Sequence, residues 1–104
     1  MSRGPDAATL VERALMAMAA AAGIALRVHA VETTPWASAT FIGARHRLTV
    51  EAAASSALDC WLAALPEAEF RLRGHLVADA LVATRRMAED VVRSEIEILT
   101  IEDA

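Results

Sequence analysis

The sequence predicts an α+β domain of two αββ units, with a four-stranded antiparallel sheet and both helices on one of its faces. Two stretches place apolar residues at helical spacing, and four others alternate apolar and polar residues as strands do. Their order, α-β-β-α-β-β, corresponds to a permuted ferredoxin-like arrangement. The 104 residues suit a single domain, with units at 6–51 and 52–104 after a disordered segment at 1–5.

The first unit opens with a helix predicted over 7–22. Asp6 or Thr9 provides its N-cap, because a short oxygen-bearing side chain can accept a hydrogen bond from a free amide of the first turn. Gly23 is the expected end of the helix, since glycine adopts the left-handed conformation without a steric penalty.

Two strands are predicted next, over 24–32 and 39–50. Thr33-Thr34-Pro35 is expected to end the first strand, because proline has no amide hydrogen for the ladder. The alternation of the second strand sorts its side chains into two faces. The buried face comprises Ile42, Ala44, His46, Leu48 and Val50.

The second unit begins with a helix from Ser55 or Ser56 to Pro66. Its apolar stripe comprises Leu58, Trp61, Leu62 and Leu65. The other side of the helix carries small residues that allow close approach of a partner. With an exposed Trp36 as a binding anchor, the sequence predicts an interface made of Trp36, Ala57, Cys60 and Ala64. The alternatives are a Trp36 that folds back into the core and an alanine side of the helix that is simply exposed to solvent. Edge strands pairing across a two-fold axis are a second route to a homodimer.

The stretch 70–83 alternates over its whole length and is the predicted central strand. A charged turn at 85–90 and a last strand over 91–102 follow, with a bulge near Leu99 where the alternation changes parity. Asp79 stands among apolar residues, so we expect it to be buried and paired. The matching segments 48–51 and 99–102 support the topology of two αββ units, although four matched residues do not establish a duplication.

The sheet face away from the helices is predicted to be rich in arginine. Arginine presents a planar fork that suits carboxylate or phosphate groups. The sequence therefore offers a candidate anion site, against the simpler interpretation of a solvated face in which Arg45 and Arg47 pair with Glu95 and Glu97. The candidate anion-binding residues are Arg27, Arg45, Arg47, Arg71, Arg73 and His75.

Composition narrows the function classes. The net charge of −4 argues against nucleic-acid binding, and the scattered histidines and single Cys60 do not form a metal-site pattern or a disulfide. We expect no cofactor, no metal and no catalytic group; an enzyme with a site near His75 and Asp79 is the third hypothesis. The most apolar run, 14–26, is too short to span a membrane.

The order of elements resembles the ferredoxin-like, tandem αββ domains of bacterial assembly-platform proteins from type II secretion and type IV pilus machines. The resemblance is carried by AAAAGIALRVHA at 19–30 and by HRLTVEAAASSALDCWLAAL at 46–65, where a strand leads into a helix. Those proteins carry an N-terminal membrane helix, and the present sequence does not show one. The resemblance implies an interaction module.

Together these observations predict a non-enzymatic protein–protein interaction or assembly module. Its expected partners are a second copy of itself or another protein of an assembly. The high hydrophobic content, 56% of a short chain, agrees with a second buried surface. The alternative is a small-anion or nucleic-acid binder that uses the arginine-rich face. A cytoplasmic location is expected, or a periplasmic one if a membrane helix or signal has been removed.

Overall fold

The computed structural model describes residues 6–103. The predicted disorder at 1–5 lies outside the described residues. The elements are α1 (Ala7–Ala21), β1 (Arg27–Ala37), β2 (Ile42–Ala53), α2 (Ser56–Ala64), a 3-10 turn (Leu65–Glu67), β3 (His75–Ala88) and β4 (Val91–Glu102). All neighbouring strands are antiparallel. The predicted αββαββ order and four-stranded antiparallel sheet are confirmed.

The strands lie in the order β1-β2-β4-β3. After α2 the chain crosses to the far edge of the sheet, forms β3 there, and returns as β4 beside β2. The strand that contains Asp79 and Leu81 is therefore an edge strand, and its predicted central position is wrong. The two central strands are β2 and β4, which pair without interruption from Gly43 to Ala53.

Each helix begins at one of the two capping residues that the sequence offers for it, Asp6 rather than Thr9 and Ser55 rather than Ser56. The Asp6 side chain accepts a hydrogen bond from the Thr9 amide at 2.9 Å, and the Ser55 hydroxyl accepts one from the Leu58 amide at 3.0 Å. Gly23, with φ +79°, follows the end of α1 as expected. Among residues 6–103, neither helix has the length and apolar content that crossing a bilayer requires.

One apolar core fills the space between the helices and one face of the sheet. From the helices it includes Val11 and Leu15, which are fully buried, and the predicted stripe of α2. From the sheet it takes alternate residues, with Leu48 in β2 and Ile96 in β4 at 0% exposure. The predicted buried parity of β2 holds for His46, Leu48 and Val50, whereas Ile42 of the same predicted set is 57% exposed at the start of the strand. β2 itself begins and ends three residues later than predicted.

β1 extends beyond its predicted end. It starts at Arg27 and continues through Pro35, which lies opposite Ala44 in β2. Proline is tolerated in β1 because β1 is an edge strand that pairs only with β2. An edge strand needs hydrogen bonds on one side only, so it can lack an N–H on its solvent side without losing a hydrogen bond of the sheet. A register shift between Val28 and Ala30 leaves His29 as the extra residue of a bulge.

β3 begins and ends five residues later than predicted. The segment 85–88 belongs to the strand, so the turn to β4 is only Glu89-Asp90, and Glu89 adopts φ 58°. Register shifts between Val77 and Asp79 and between Val82 and Thr84 mark two bulges. Each bulge adds one residue to β3, so side chains at odd-numbered positions lie on one face of the sheet before the bulge and on the other face after it.

β4 occupies the predicted residues, but its alternation does not change parity. Buried residues recur at every second position from Val92 to Thr100, and Leu99 lies on the other face. The bulge expected near Leu99 is instead in the facing strand, at Ala78. The matched segments 48–51 and 99–102 are therefore not equivalent, since Leu48 points to the core and Leu99 points away from it.

Candidate functional site: the open face of the sheet

The open face is the side of the sheet that the helices leave uncovered. The strand registers arrange its side chains in five rows that cross the sheet in the order β1, β2, β4, β3. The rows are Trp36-Gly43-Ile101-Leu76, Thr34-Arg45-Leu99-Asp79, Glu32-Arg47-Glu97-Leu81, Ala30-Thr49-Glu95-Thr84 and Arg27-Glu51-Arg93-Arg86. Apolar residues concentrate at one end of the face and charges at the other.

The apolar end is the first row together with Phe41. Leu76 is 55% exposed, and Phe41, the residue that precedes β2, is 51% exposed. Both line one depression together with Ile101, which is half-buried in β4. Trp36 is half-buried because its ring rests on Gly43 in the next strand. An uncovered group of large apolar side chains on adjacent strands is typical of a protein-binding surface.

The middle of the open face contains a cross-strand ion pair. Arg47 Nη2 donates to Glu97 Oε2 at 2.7 Å, which confirms the pairing predicted for these two residues. The hydrogen bond with Glu97 raises the pKa of Arg47 above its already high value. Arg45, by contrast, lies opposite Leu99 rather than a glutamate.

The charged end is built around Glu51. Its carboxylate lies 3.1 Å from His29 Nε2 and 3.6 Å from Arg93 Nε. The hydrogen bond from His29 is the largest cause that lowers the pKa of Glu51 below its ordinary value, and nearby Arg93 acts in the same direction. Glu51 therefore stays ionised and holds two donors of the charged end in place.

The charged end also contains a residue that sequence reasoning missed. Arg86 lies directly opposite Arg93, and both line a depression of about 420 Å³. The Arg85-Arg86 pair is visible in the sequence but falls in the predicted turn at 85–90, so the alternation of the strands does not assign Arg86 to the face. The depression is lined by His29, Ala30, Thr49, Thr84, Arg86, Arg93 and Glu95.

The predicted anion-binding set does not come together. Arg27, Arg45 and Arg47 lie on the open face but in three different rows. Arg71 and Arg73 precede β3 in the chain and lie outside the named strands. His75 pairs with Glu102, on the helix side of the sheet, because the bulge at Ala78 reverses the parity between His75 and the later part of β3.

The same bulge separates the two residues of the enzyme hypothesis. His75 faces the helix side, whereas Asp79 lies on the open face opposite Leu99. Asp79 is exposed, so the expectation of a buried, paired carboxylate is wrong. Across residues 6–103, no three His, Cys, Asp or Glu side chains are grouped as a metal site requires.

The predicted interface residues fall on two separate surfaces. Trp36 belongs to the apolar end of the open face, whereas Ala57, Cys60 and Ala64 are exposed on α2, away from its buried stripe. The α2 surface is also joined to the sheet by an ion pair between Arg85 and Asp59. The four residues therefore cannot contact one partner as a single patch.

A buried histidine links three strands on the helix side. His46 is 0% exposed, and its ring nitrogens lie 3.1 Å from Thr33 Oγ1 and 2.9 Å from Thr100 Oγ1. Burial is the main cause that lowers the pKa of His46; His75 acts in the same direction and Asp6 opposes it. His46 is therefore favoured in its neutral form, as a hydrogen-bonding bridge between β1, β2 and β4.

Comparisons with protein-family models, with curated proteins and with solved structures found no match for this chain. The functional conclusions therefore depend on the geometry of the open face.

Proposed function

We propose that the protein is a non-enzymatic association module that forms a homodimer by packing its open face against the open face of a second copy. The observation that carries this proposal is the apolar end, where Leu76 and Phe41 are each more than half exposed on a sheet face without a covering layer. A sheet buries its apolar face against another layer, and a second sheet is one such layer. The resemblance to assembly-platform domains agrees with this role.

The size of the open face suits a dimer. Four strands at ~4.8 Å spacing and about 11 residues at ~3.3 Å each give a face of roughly 700 Å². A stable interface buries about 800 Å² on each partner. The whole face, with the side chains at its rim, is therefore close to the area that a specific homodimer needs.

The charges of the open face are balanced, although the chain as a whole carries −4. The five rows contain five arginines and five carboxylates, so two identical faces do not repel each other through net charge. The charged residues are Arg27, Arg45, Arg47, Arg86, Arg93, Glu32, Glu51, Asp79, Glu95 and Glu97.

A two-fold axis parallel to the strands makes the two central strands complementary to themselves, although in the last row Arg27 of β1 then faces Arg86 of the second copy. Such an axis keeps each row over the same row of the second copy and reverses the strand order, so β2 lies over β4. Arg47 then faces Glu97 of the second copy, and Glu51 faces its Arg93. In the first row Trp36 faces Leu76, so the apolar ends coincide.

Pairing through the edge strands is the less suitable mode. β1 carries Pro35 and a bulge at His29, and β3 carries bulges at Ala78 and Ala83. Proline and bulges are the features by which natural sheets prevent their edges from pairing. The face, rather than an edge, is therefore the proposed interface.

The proposal is tested by charging the apolar end and measuring mass by size-exclusion chromatography with light scattering. Leu76→Glu and Ile101→Glu each place a carboxylate in the proposed interface, so the dimer should dissociate at least tenfold more readily. Met16→Glu is the matched control, because Met16 is an exposed large apolar residue on α1. Cys60→Ser tests the outer surface of α2. A dimer that persists in both Leu76→Glu and Ile101→Glu would contradict the proposal. Loss of the dimer in Cys60→Ser alone would also contradict it.

A further inference from the structure

Arg86 and Arg93 form a like-charge pair at the charged end. They are direct cross-strand neighbours of β3 and β4, and both side chains lie on the open face. Like charges in this position repel each other and destabilise the pairing of the strands. Glu51 lies 3.6 Å from Arg93 and partly offsets its charge. Within residues 6–103, no carboxylate comes within ion-pair distance of Arg86, which leaves its guanidinium without an anionic partner.

The surroundings of Arg86 are polar and concave. The depression of about 420 Å³ offers the hydroxyls of Thr49 and Thr84 and the imidazole of His29 beside the two arginines. A planar guanidinium with neighbouring hydroxyl donors matches the oxygen atoms of a carboxylate or phosphate group. The depression is larger than one such group, so it also has room for the body of a small molecule.

The two carboxylates near the depression already have partners. Glu51 is held by His29 and Arg93, as described above. Glu95 accepts a hydrogen bond from the Thr84 hydroxyl at 3.5 Å. Its negative charge also lies close enough to Arg47 to raise the pKa of that guanidinium. Arg86 is therefore the residue of the charged end whose charge is least compensated.

We infer that this depression is a binding site for a small oxyanion, a carboxylate or a phosphate group, with Arg86 as its principal ligand-binding residue. The inference does not depend on the homodimer. Arg86 lies on an edge strand and in the last row, at a corner of the face. All seven residues that line the depression belong to one chain, so a single copy holds the complete site, and a second copy packed over the face competes with the anion.

The test is a titration of the full chain with inorganic phosphate and, separately, with acetate, followed by backbone amide NMR shifts. Sodium chloride keeps the ionic strength constant, because chloride screens and competes for exposed arginines. We expect saturable shifts centred on His29, Thr84 and Arg86 with at least one of the two anions. Saturation by phosphate alone assigns the site to a phosphate-bearing ligand, and saturation by acetate alone assigns it to a carboxylate.

Arg86→Gln is the decisive variant, since it removes the charge and keeps a long polar side chain. It should weaken binding of the active anion at least tenfold. Arg13→Gln, an exposed arginine of α1, is the matched control and should bind as the unmodified chain does. Unchanged affinity in Arg86→Gln, or shifts that stay linear for both anions in the unmodified chain, would overturn the inference. Arg86 is exposed, so amide spectra that superimpose outside the depression will show that the variant is folded.

Discussion

Trp36 lies across Gly43 of the neighbouring strand, and the two residues fit together only because position 43 has no side chain. A Cβ atom at Gly43 would lie 2.8 Å from Trp36 Cζ2 and would also overlap the carbonyl oxygen of Thr100. The glycine thus allows the indole to cover the backbone of β2 at the apolar end of the open face. It also lets β4 approach closely from the other side.

Gly43→Ala should therefore destabilise the fold. Because both neighbours of the added methyl group are held in the sheet, we expect the free energy of unfolding to fall by about 2 kcal/mol, in the range of overpacking substitutions. Urea denaturation followed by circular dichroism measures this change. A variant within about 0.5 kcal/mol of the unmodified chain, the range of neutral surface substitutions, would show that Trp36 and β4 are not packed against Gly43.

Leu48 and Leu99 provide a direct test of the strand faces, since they open the two matching segments LTVE and LTIE. Leu48 is fully buried, so Leu48→Ala should lower the free energy of unfolding by about 2–5 kcal/mol. Leu99 is half-buried on the open face, and Leu99→Ala should cost only about 1 kcal/mol in the monomer. If urea denaturation shows that both substitutions lower the free energy of unfolding by the same amount, the two segments occupy equivalent positions in the sheet.

His46 should make stability depend on pH. Its pKa is lowered in the folded chain from the ordinary value of 6.5, so the unfolded chain binds a proton more readily. The stability that His46 contributes is fully present above pH 6.5 and is lost as the pH falls below it. Thermal unfolding between pH 7.5 and pH 5 should show a decreasing midpoint temperature.

His46→Gln is the control for that measurement, because glutamine can still hydrogen-bond Thr33 and Thr100 but does not titrate in this range. Its midpoint should change less with pH than that of the unmodified chain, even if the variant is less stable overall. The lowered pKa values of Asp6 and Glu51 act at lower pH, below their ordinary values of 3.8 and 4.5, and stay outside the window. Equal pH slopes for the two proteins would contradict the role assigned to His46.

Glu89 is the one residue other than glycine with a positive φ within 6–103, at 58° in the turn between β3 and β4. The left-handed conformation costs an L-residue about 1–2 kcal/mol, whereas glycine adopts it freely at some cost in chain entropy. Glu89→Gly should therefore raise the free energy of unfolding by about 0.5–1 kcal/mol. A loss of stability in urea denaturation would show that the turn has another conformation.

The helices and their ends were predictable because their signals are local. Asp6, Ser55 and Gly23 act through hydrogen bonds and dihedral angles of the adjacent residues. Gly23 was identified in the sequence, and Asp6 and Ser55 were each one of two candidates. The bounds of β4 were also predicted, since its alternation is regular over its whole length. Local pattern and tertiary structure agree at these elements.

The bounds of the edge strands were not predictable in the same way. Pro35 would end a central strand, and only the strand order shows that β1 has a free side. In β3 the bulges fall on Ala78 and Ala83, and alanine is small enough to suit either face, so the sequence gives no sign of them. One missed bulge was sufficient to place His75 on the wrong side of the sheet.

The candidate site was predictable only in part. An arginine-rich open face and the pairing of Arg47 with Glu97 follow from alternation and strand order, and the ion pair is present. The grouping of His29, Arg86 and Arg93 depends on bulges in both edge strands, so it becomes visible only in three dimensions. Exposure at the apolar end likewise depends on which face the helices cover.

The proposed homodimer joins two copies of this chain through the open face. It is tested by light scattering of the unmodified protein at two concentrations, tenfold apart. A homodimer gives a mass of twice 11.1 kDa that is the same at both concentrations. A mass of 11.1 kDa at both concentrations would contradict it, because the apolar end would then be exposed without a second copy to cover it.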